Sequence, residues 1–168
     1  MIKDKPCIKK QANPNNAVSK ESLRLWLRLL SSTNILEQQI RSRLRKKFNI
    51  TLPQFDVLAA LEHKKEAQTM TALSRHLMVS NGNITGVVDR LVRDGFVKRL
   101  GSTSDRRIQY INLTNKGRGA FDRMAQAHED WIAELFSGMT HTEIKQLTEQ
   151  LRYVKTCINQ KLVDGQQQ

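Results

Sequence analysis

Residues Ser80 to Thr114 read SNGNITGVVDRLVRDGFVKRLGSTSDRRIQYINLT, and this stretch decides the fold. Ser80 has the chemistry of a helix cap. Ile84, Val87, Val88, Leu91 and Val92 then recur at the spacing of one buried helical face, and Asn81, Asn83, Thr85, Asp89, Arg90 and Arg93 fall largely outside it. Gly95 is a natural stop. Phe96, Val97 and Leu100, then Ile108, Tyr110, Ile111 and Leu113, form two β-prone runs around the polar GSTSDRR. The reading is a helix followed by a hairpin with a projecting tip, after which Thr114 caps another helix.

Upstream, Thr69 precedes Met70, Leu73 and Leu77, which predicts a capped short helix over about Thr71 to Met78. Before it, Leu52-Pro53 opens a helix whose inner face carries Phe55, Leu58, Ala59 and Leu61. A longer helix, about Ser19 to Phe48, is drawn by Leu23, Trp26, Leu27, Leu30, Leu36, Ile40 and Leu44. Its last turns, RSRLRKKF, either complement the helix dipole or meet phosphates. Downstream, Phe121, Met124, His128, Trp131 and Leu135 mark one more helix, broken near Gly138. The last helix starts at about Thr140, and its seam of Ile144, Leu147, Leu151, Val154 and Ile158 suits packing on another helix, in a second copy or within the chain. The class is therefore mainly α with a small β-wing.

The 168-residue chain carries 28 Lys and Arg against 16 Asp and Glu, a net charge of +12. Such an excess favours a polyanion, nucleic acid ahead of an anionic membrane surface. No stretch approaches the roughly 18 apolar residues of a membrane span, and the N-terminus lacks the apolar run of a secretory signal, so the expected location is cytoplasmic. Cys7 and Cys157 show no metal-ligand spacing, and a structural disulfide or zinc site is not expected. No nucleophile-and-base pattern or phosphate-cradling glycine loop is present, and His63, His76, His128 and His141 are scattered, so neither an enzyme nor a cofactor is expected. Aromatic residues are only 5% of the chain, which argues against single-stranded RNA held by base stacking.

Two short helices in tandem, the second opening with small polar residues, follow helix-turn-helix logic, in which the second helix enters the major groove N-terminus first. Ser80, Asn81, Gly82, Asn83 and Thr85 keep that entry slim and able to reach base edges or phosphates. Thr71, on the first helix of the pair, joins them as a DNA contact. Arg90, further along the exposed side, suits phosphates better than base edges, and Arg93 shares that side. Arg106 and Arg107 at the hairpin tip suit the minor groove, with Asp105 orienting a neighbouring arginine.

DRLVRDGFVKR, followed by SDRRIQYINLTNKG, resembles the signature of multiple-antibiotic-resistance (MarR-type) winged-helix regulators, over about Ser22 to Gln160. The resemblance implies a winged helix-turn-helix with interlocked N- and C-terminal dimerisation helices, bound as a homodimer to a near-palindromic operator and working as a repressor. The implied division is a basic tail over 1–19, a dimerisation and effector-pocket helix over 20–50, a DNA-binding lobe over 51–114, C-terminal dimerisation helices over 115–162 and a tail over 163–168. One departure stands out: the acidic residue that often precedes the Asp-Arg-Arg run is absent from Gly101-Ser102-Thr103-Ser104.

RLWLRLL, LPQFDVLAAL and LSRHLMVSNGNITGVVDRL resemble a branch of that family controlling aromatic-acid breakdown. This implies release by a hydroxycinnamate such as ferulate or p-coumarate, or by its coenzyme A thioester. The effector-binding candidates are Arg24, Arg28, Ser31 and Asn34 on the first helix, and His128 with Trp131 on the fifth. An arginine would pair a carboxylate, and rings and hydroxyls would hold a phenol. The rival reading is a thiol-based oxidant sensor acting through Cys7 or Cys157.

Overall fold

A computed structural model describes residues 16–101 and 109–165. The elements run α1 (Asn16–Phe48), α2 (Leu52–Lys64), β1 (Gln68–Thr69), α3 (Met70–Leu77), α4 (Asn81–Arg93), β2 (Val97–Gly101), β3 (Gln109–Leu113), α5 (Asn115–Leu135) and α6 (His141–Gly165). The expected class, mainly α with a small β-wing, is the one found, and among the described residues no helix is long and apolar enough to cross a membrane.

Side-chain caps set most of the boundaries. Thr51 and Gln54 form a reciprocal capping box at α2, with Pro53 in the first turn. Thr69 accepts from the Ala72 amide at α3, and Ser80 accepts from the Asn83 amide at α4. The turn between α3 and α4 is closed by Met78 in a left-handed conformation, φ 54°. Gly95, φ 74°, turns the chain out of α4, where a side chain would be strained.

The chain divides into two compact units, one drawing on residues up to Leu30 and from Leu135 on, the other spanning Ser31–Glu134. The second unit contains the core: Leu44, Val57, Leu58, Leu61, Leu73, Ile84, Val88, Leu91, Val97 and Ile111 are at most 2% exposed. Its sheet is antiparallel in the order β1-β3-β2, with Val97 opposite Leu113 and Gly101 opposite Gln109. β1 was not foreseen in the sequence; its two residues pair Gln68 with Ile111 and Thr69 with Tyr110. Helix α5 is fastened to α1 by the Arg43–Glu134 pair at 2.6 and 2.9 Å, and to α2 by Arg118–Glu62 at 2.6 Å.

In the first unit the N-terminal part of α1 and all of α6 lack a buried face. Leu23, Leu25, Trp26 and Leu27 are about half exposed, and α6 has no buried residue. A groove lined by Leu25, Leu29, Leu147, Leu151 and Val154 runs between the two helices. Cys157, on α6, is disulfide-bonded, so the expectation of no structural disulfide does not hold. Cys7 lies outside the described residues.

Candidate nucleic-acid interface and effector cavities

The α3–turn–α4 unit presents the outer face of α4. Ile84, Val88 and Leu91 are buried against the lobe, which leaves Gly82, Asn83, Thr85, Gly86, Asp89, Arg90 and Arg93 exposed. The Ser80 hydroxyl oxygen is committed to the Asn83 amide at 3.3 Å, so capping and surface chemistry share one side chain. Thr71 is exposed in the first turn of α3. Asp105, Arg106 and Arg107 lie outside the described residues, and so does the side chain of Asn81.

One acidic group sits on the outer face of α4. Asp89 pairs with Arg99 of β2, which largely cancels its repulsion of a polyanion and braces α4 against the wing strand. Sequence reasoning missed this pair because Asp89 and Arg99 meet only through the turn at Gly95.

The aromatic candidates from α5 fall in a packed layer. The His128 ring lies 5.1 Å from that of Phe55, which is itself 5.7 Å from Phe121; burial pushes the His128 pKa below its ordinary value. Trp131 lies 6.2 Å from Phe48, with Arg43 6.0 Å and Lys47 5.9 Å from its ring. Arg24 and Arg28 belong to the first unit, Ser31 and Asn34 to the second, and all four are exposed. At a rise of roughly 1.5 Å per residue, Asn34 is about 13 Å up α1 from Arg43, so within one chain it is not brought to Trp131.

Two cavities in the second unit went unnoticed in the sequence. One, of about 400 Å³, lies under α4 and is lined by Arg41, Pro53, Asp56, Leu77, Asn83 and Val87 among others. Burial pushes the Asp56 carboxyl up to about 6, against the opposing pull of Arg41 and with a smaller push from Glu37. The other, of about 240 Å³, is lined by side chains of α1, α5 and the α4–β2 junction, Phe48, Phe96, Lys116 and Arg123 among them. Each draws residues from at least three segments distant in sequence, so no local motif announces it.

The family model described as the MarR family matches residues 50–109, from just after α1 to the first residue of β3. The chain is 34% identical to the uncharacterized HTH-type transcriptional regulator YkoM of Bacillus subtilis, over 68% of this chain and 72% of that protein. It belongs to the MarR family. A second relative, the transcriptional activatory protein BadR of Rhodopseudomonas palustris, is 35% identical over 70% of this chain and 69% of its own. A mutant MarR from E. coli complexed with operator DNA superposes with a TM-score of 0.71 at 27% identity, covering 80% of this chain and 95% of that one. The protein is thus a MarR-family transcriptional regulator with a winged helix-turn-helix.

Proposed function

We propose that this MarR-family regulator is a homodimeric repressor that binds a near-palindromic operator and is released by an aromatic acid of the hydroxycinnamate class, or by its coenzyme A thioester. The observation that carries the DNA reading is the slim, polar outer face of α4, exposed from Gly82 to Arg93 and braced by Asp89–Arg99. Ser80, Asn81, Gly82, Asn83 and Thr85 enter the major groove, Thr71 and Arg90 meet phosphates, and Arg106 and Arg107 enter the minor groove with Asp105 orienting them. The net charge of +12 supplies the sequence-independent attraction.

The unpartnered apolar faces of α1 and α6 support the homodimer, since a contiguous exposed apolar surface marks an interface. A second copy would also bring Arg24, Arg28, Ser31 and Asn34 of one chain toward the other, where they serve the effector. The aromatic-acid class is supported by the sequence resemblance. Repression rather than activation is the family's usual mode; BadR, described as an activatory protein, represents the other.

The test is titration of the upstream DNA of the protein's own gene at two salt concentrations, with and without p-coumarate, ferulate and their thioesters. Salt-sensitive binding released by one compound is the expected result. Tight binding indifferent to all four would remove the hydroxycinnamate class, and binding no tighter than to random duplex would remove the operator reading.

A second reading rests on the disulfide at Cys157, on a helix with an exposed apolar face. A thiol–disulfide change there would bias the same dimer, giving an oxidant-sensing repressor. Peroxide would then release DNA from the wild type and leave a Cys157→Ser variant bound; equal release from both would exclude it.

A further inference from the structure

We propose that the cavity bounded by Phe48 and Phe96 is a binding site for the free aromatic acid, with Arg123 and Lys116 receiving the carboxylate. The inference rests on the aromatic-acid reading and deepens it by placing the site and choosing between free acid and thioester.

Three features of the cavity fit that ligand together. Its floor is apolar and closed to water, with Ile50 and Met124 both 2% exposed and Ala120 7%. Its sides include two half-buried phenyl rings, Phe48 and Phe96, which suit a flat aromatic ring. Its exposed charges are Lys116 and Arg123, and no carboxylate is among the lining side chains. An aromatic anion therefore buries its ring and keeps its charge paired at the mouth, where desolvation is cheapest.

Two further cavities of this unit fail one requirement each. The larger one under α4 contains Asp56, which repels an anion whenever it is ionised. The one lined by Lys64, Arg75 and His76 is cationic but has no phenyl ring in its lining. Size decides the form of the ligand. At about 240 Å³ the Phe48–Phe96 cavity lies below the roughly 300–1,000 Å³ of sites for drug-sized ligands. It holds a single-ring acid and leaves the nucleotide half of a thioester outside.

The site is built into the end of the recognition helix. Lys116 Nζ donates to the Asp94 carbonyl at 2.7 Å and lies 5.2 Å from the Phe96 ring. A carboxylate that draws Lys116 toward itself removes a donor from the last carbonyls of α4 and presses on Phe96 at the root of β2. A ligand preferring the protein with this anchor open binds the DNA-bound form more weakly, and by linkage weakens DNA binding by the same factor.

The experiment is calorimetric titration of the full-length protein with p-coumarate, its coenzyme A thioester, benzoate and neutral benzamide, in wild type, Arg123→Gln and Asp56→Asn, with urea unfolding as a check that each variant is folded. The expected result is binding of both free acids to the wild type, at least tenfold weaker binding of benzamide, and at least tenfold loss for Arg123→Gln. Asp56→Asn should retain wild-type affinity. Release of DNA by p-coumarate should need a correspondingly higher concentration in Arg123→Gln than in the wild type, each measured against its own affinity without ligand. Wild-type binding undiminished in Arg123→Gln, or lost instead in Asp56→Asn, would overturn the site and leave the aromatic-acid reading standing. Tighter binding of the thioester than of the free acid would overturn the choice of ligand form. Failure of the wild type to bind any acid would overturn the aromatic-acid reading, and this site with it.

Discussion

Replacing Gly117 by Ala tests how α5 is seated on the lobe. A Cβ at Gly117 would lie 1.9 Å from the Phe96 carbonyl oxygen and 2.7 Å from its carbon, far inside the 3.0 Å that such contacts essentially never breach. Both opposing atoms are backbone and cannot rotate aside. The Phe96 carbonyl accepts from the Thr114 amide at 3.0 Å and the Thr114 hydroxyl at 3.2 Å, so moving it strains two hydrogen bonds. Overpacking costs about 1–3 kcal/mol, and loosening the two bonds adds roughly 1 kcal/mol each. The better helix propensity of Ala returns at most about 1 kcal/mol. The expected net loss is about 2–4 kcal/mol, which at a urea slope of roughly 1–3 kcal/mol per molar lowers the midpoint by on the order of 1–2 M. Gly119→Ala is the control, since its Cβ would meet only the flexible end of Arg123, at 3.9 Å. Melts should be run at one fixed protein concentration, so that any self-association affects both variants alike. Gly117→Ala unfolding at the same midpoint as Gly119→Ala would refute the close approach of α5 to the Phe96 backbone.

Ser80→Ala should lower stability by about 1 kcal/mol through loss of the α4 cap, while Ser80→Asn keeps the cap; DNA titration of the folded Asn variant then reads the hydroxyl's contact alone, and undiminished binding would remove Ser80 from the interface. At Asp56, burial raises the folded pKa from near 3.8 to about 6, so the folded protein holds that proton more tightly than the unfolded chain, and stability falls as pH rises from about 4 to 6 and stays lower above. Asp56→Asn should flatten this fall, raising stability at pH 7.5 by on the order of 1 kcal/mol once partial solvent screening is allowed for; parallel urea profiles for variant and wild type at pH 4.5 and 7.5 would contradict the burial. Leu151→Glu places a charge in the apolar groove of α1 and α6 and should weaken self-association at least about a hundredfold, seen by sedimentation as a shift to monomer, and an unchanged dimer would show that this face is not the interface.

The parts of the fold legible in the sequence are those set by local chemistry. The caps Thr69, Ser80 and Thr114 each satisfy an amide three residues on, so they mark helix starts without reference to the rest of the chain. The outer face of α4 was legible for the same reason: with Ile84, Val88 and Leu91 inward, helical periodicity leaves little freedom for Asn83, Thr85 and Arg90. Strand β1 was not legible, because a Gln-Thr pair has no alternation to read and owes its conformation to Tyr110 and Ile111 across the sheet. The cavities depend on which distant segments meet, and composition does not encode that. Arg24 and Asn34 share chemistry that suits an anion but not a compact unit, since Arg24 belongs to one and Asn34 to the other, and side-chain chemistry alone carries no placement.

The junction between α4 and α5 explains how a small ligand could act on a helix it does not touch. Three consecutive carbonyls at the exit of α4 are held by the start of α5: Asp94 by Lys116 at 2.7 Å, Gly95 by the Thr114 hydroxyl at 2.7 Å, and Phe96 by the Thr114 amide and hydroxyl. The same hydroxyl accepts from the Gly117 amide at 3.0 Å, so capping α5 and anchoring α4 are one arrangement. Because Gly117 leaves no slack against Phe96, a displacement of the first turn of α5 cannot be absorbed there and passes to the end of α4 and the root of β2. Asp89–Arg99 then ties α4 to β2, so the recognition helix and the wing strand respond together rather than separately. On the proposed reading, in which α4 and the wing both contact DNA, such a joint would move the two together, and here it is built from one threonine, one lysine and one glycine within four residues.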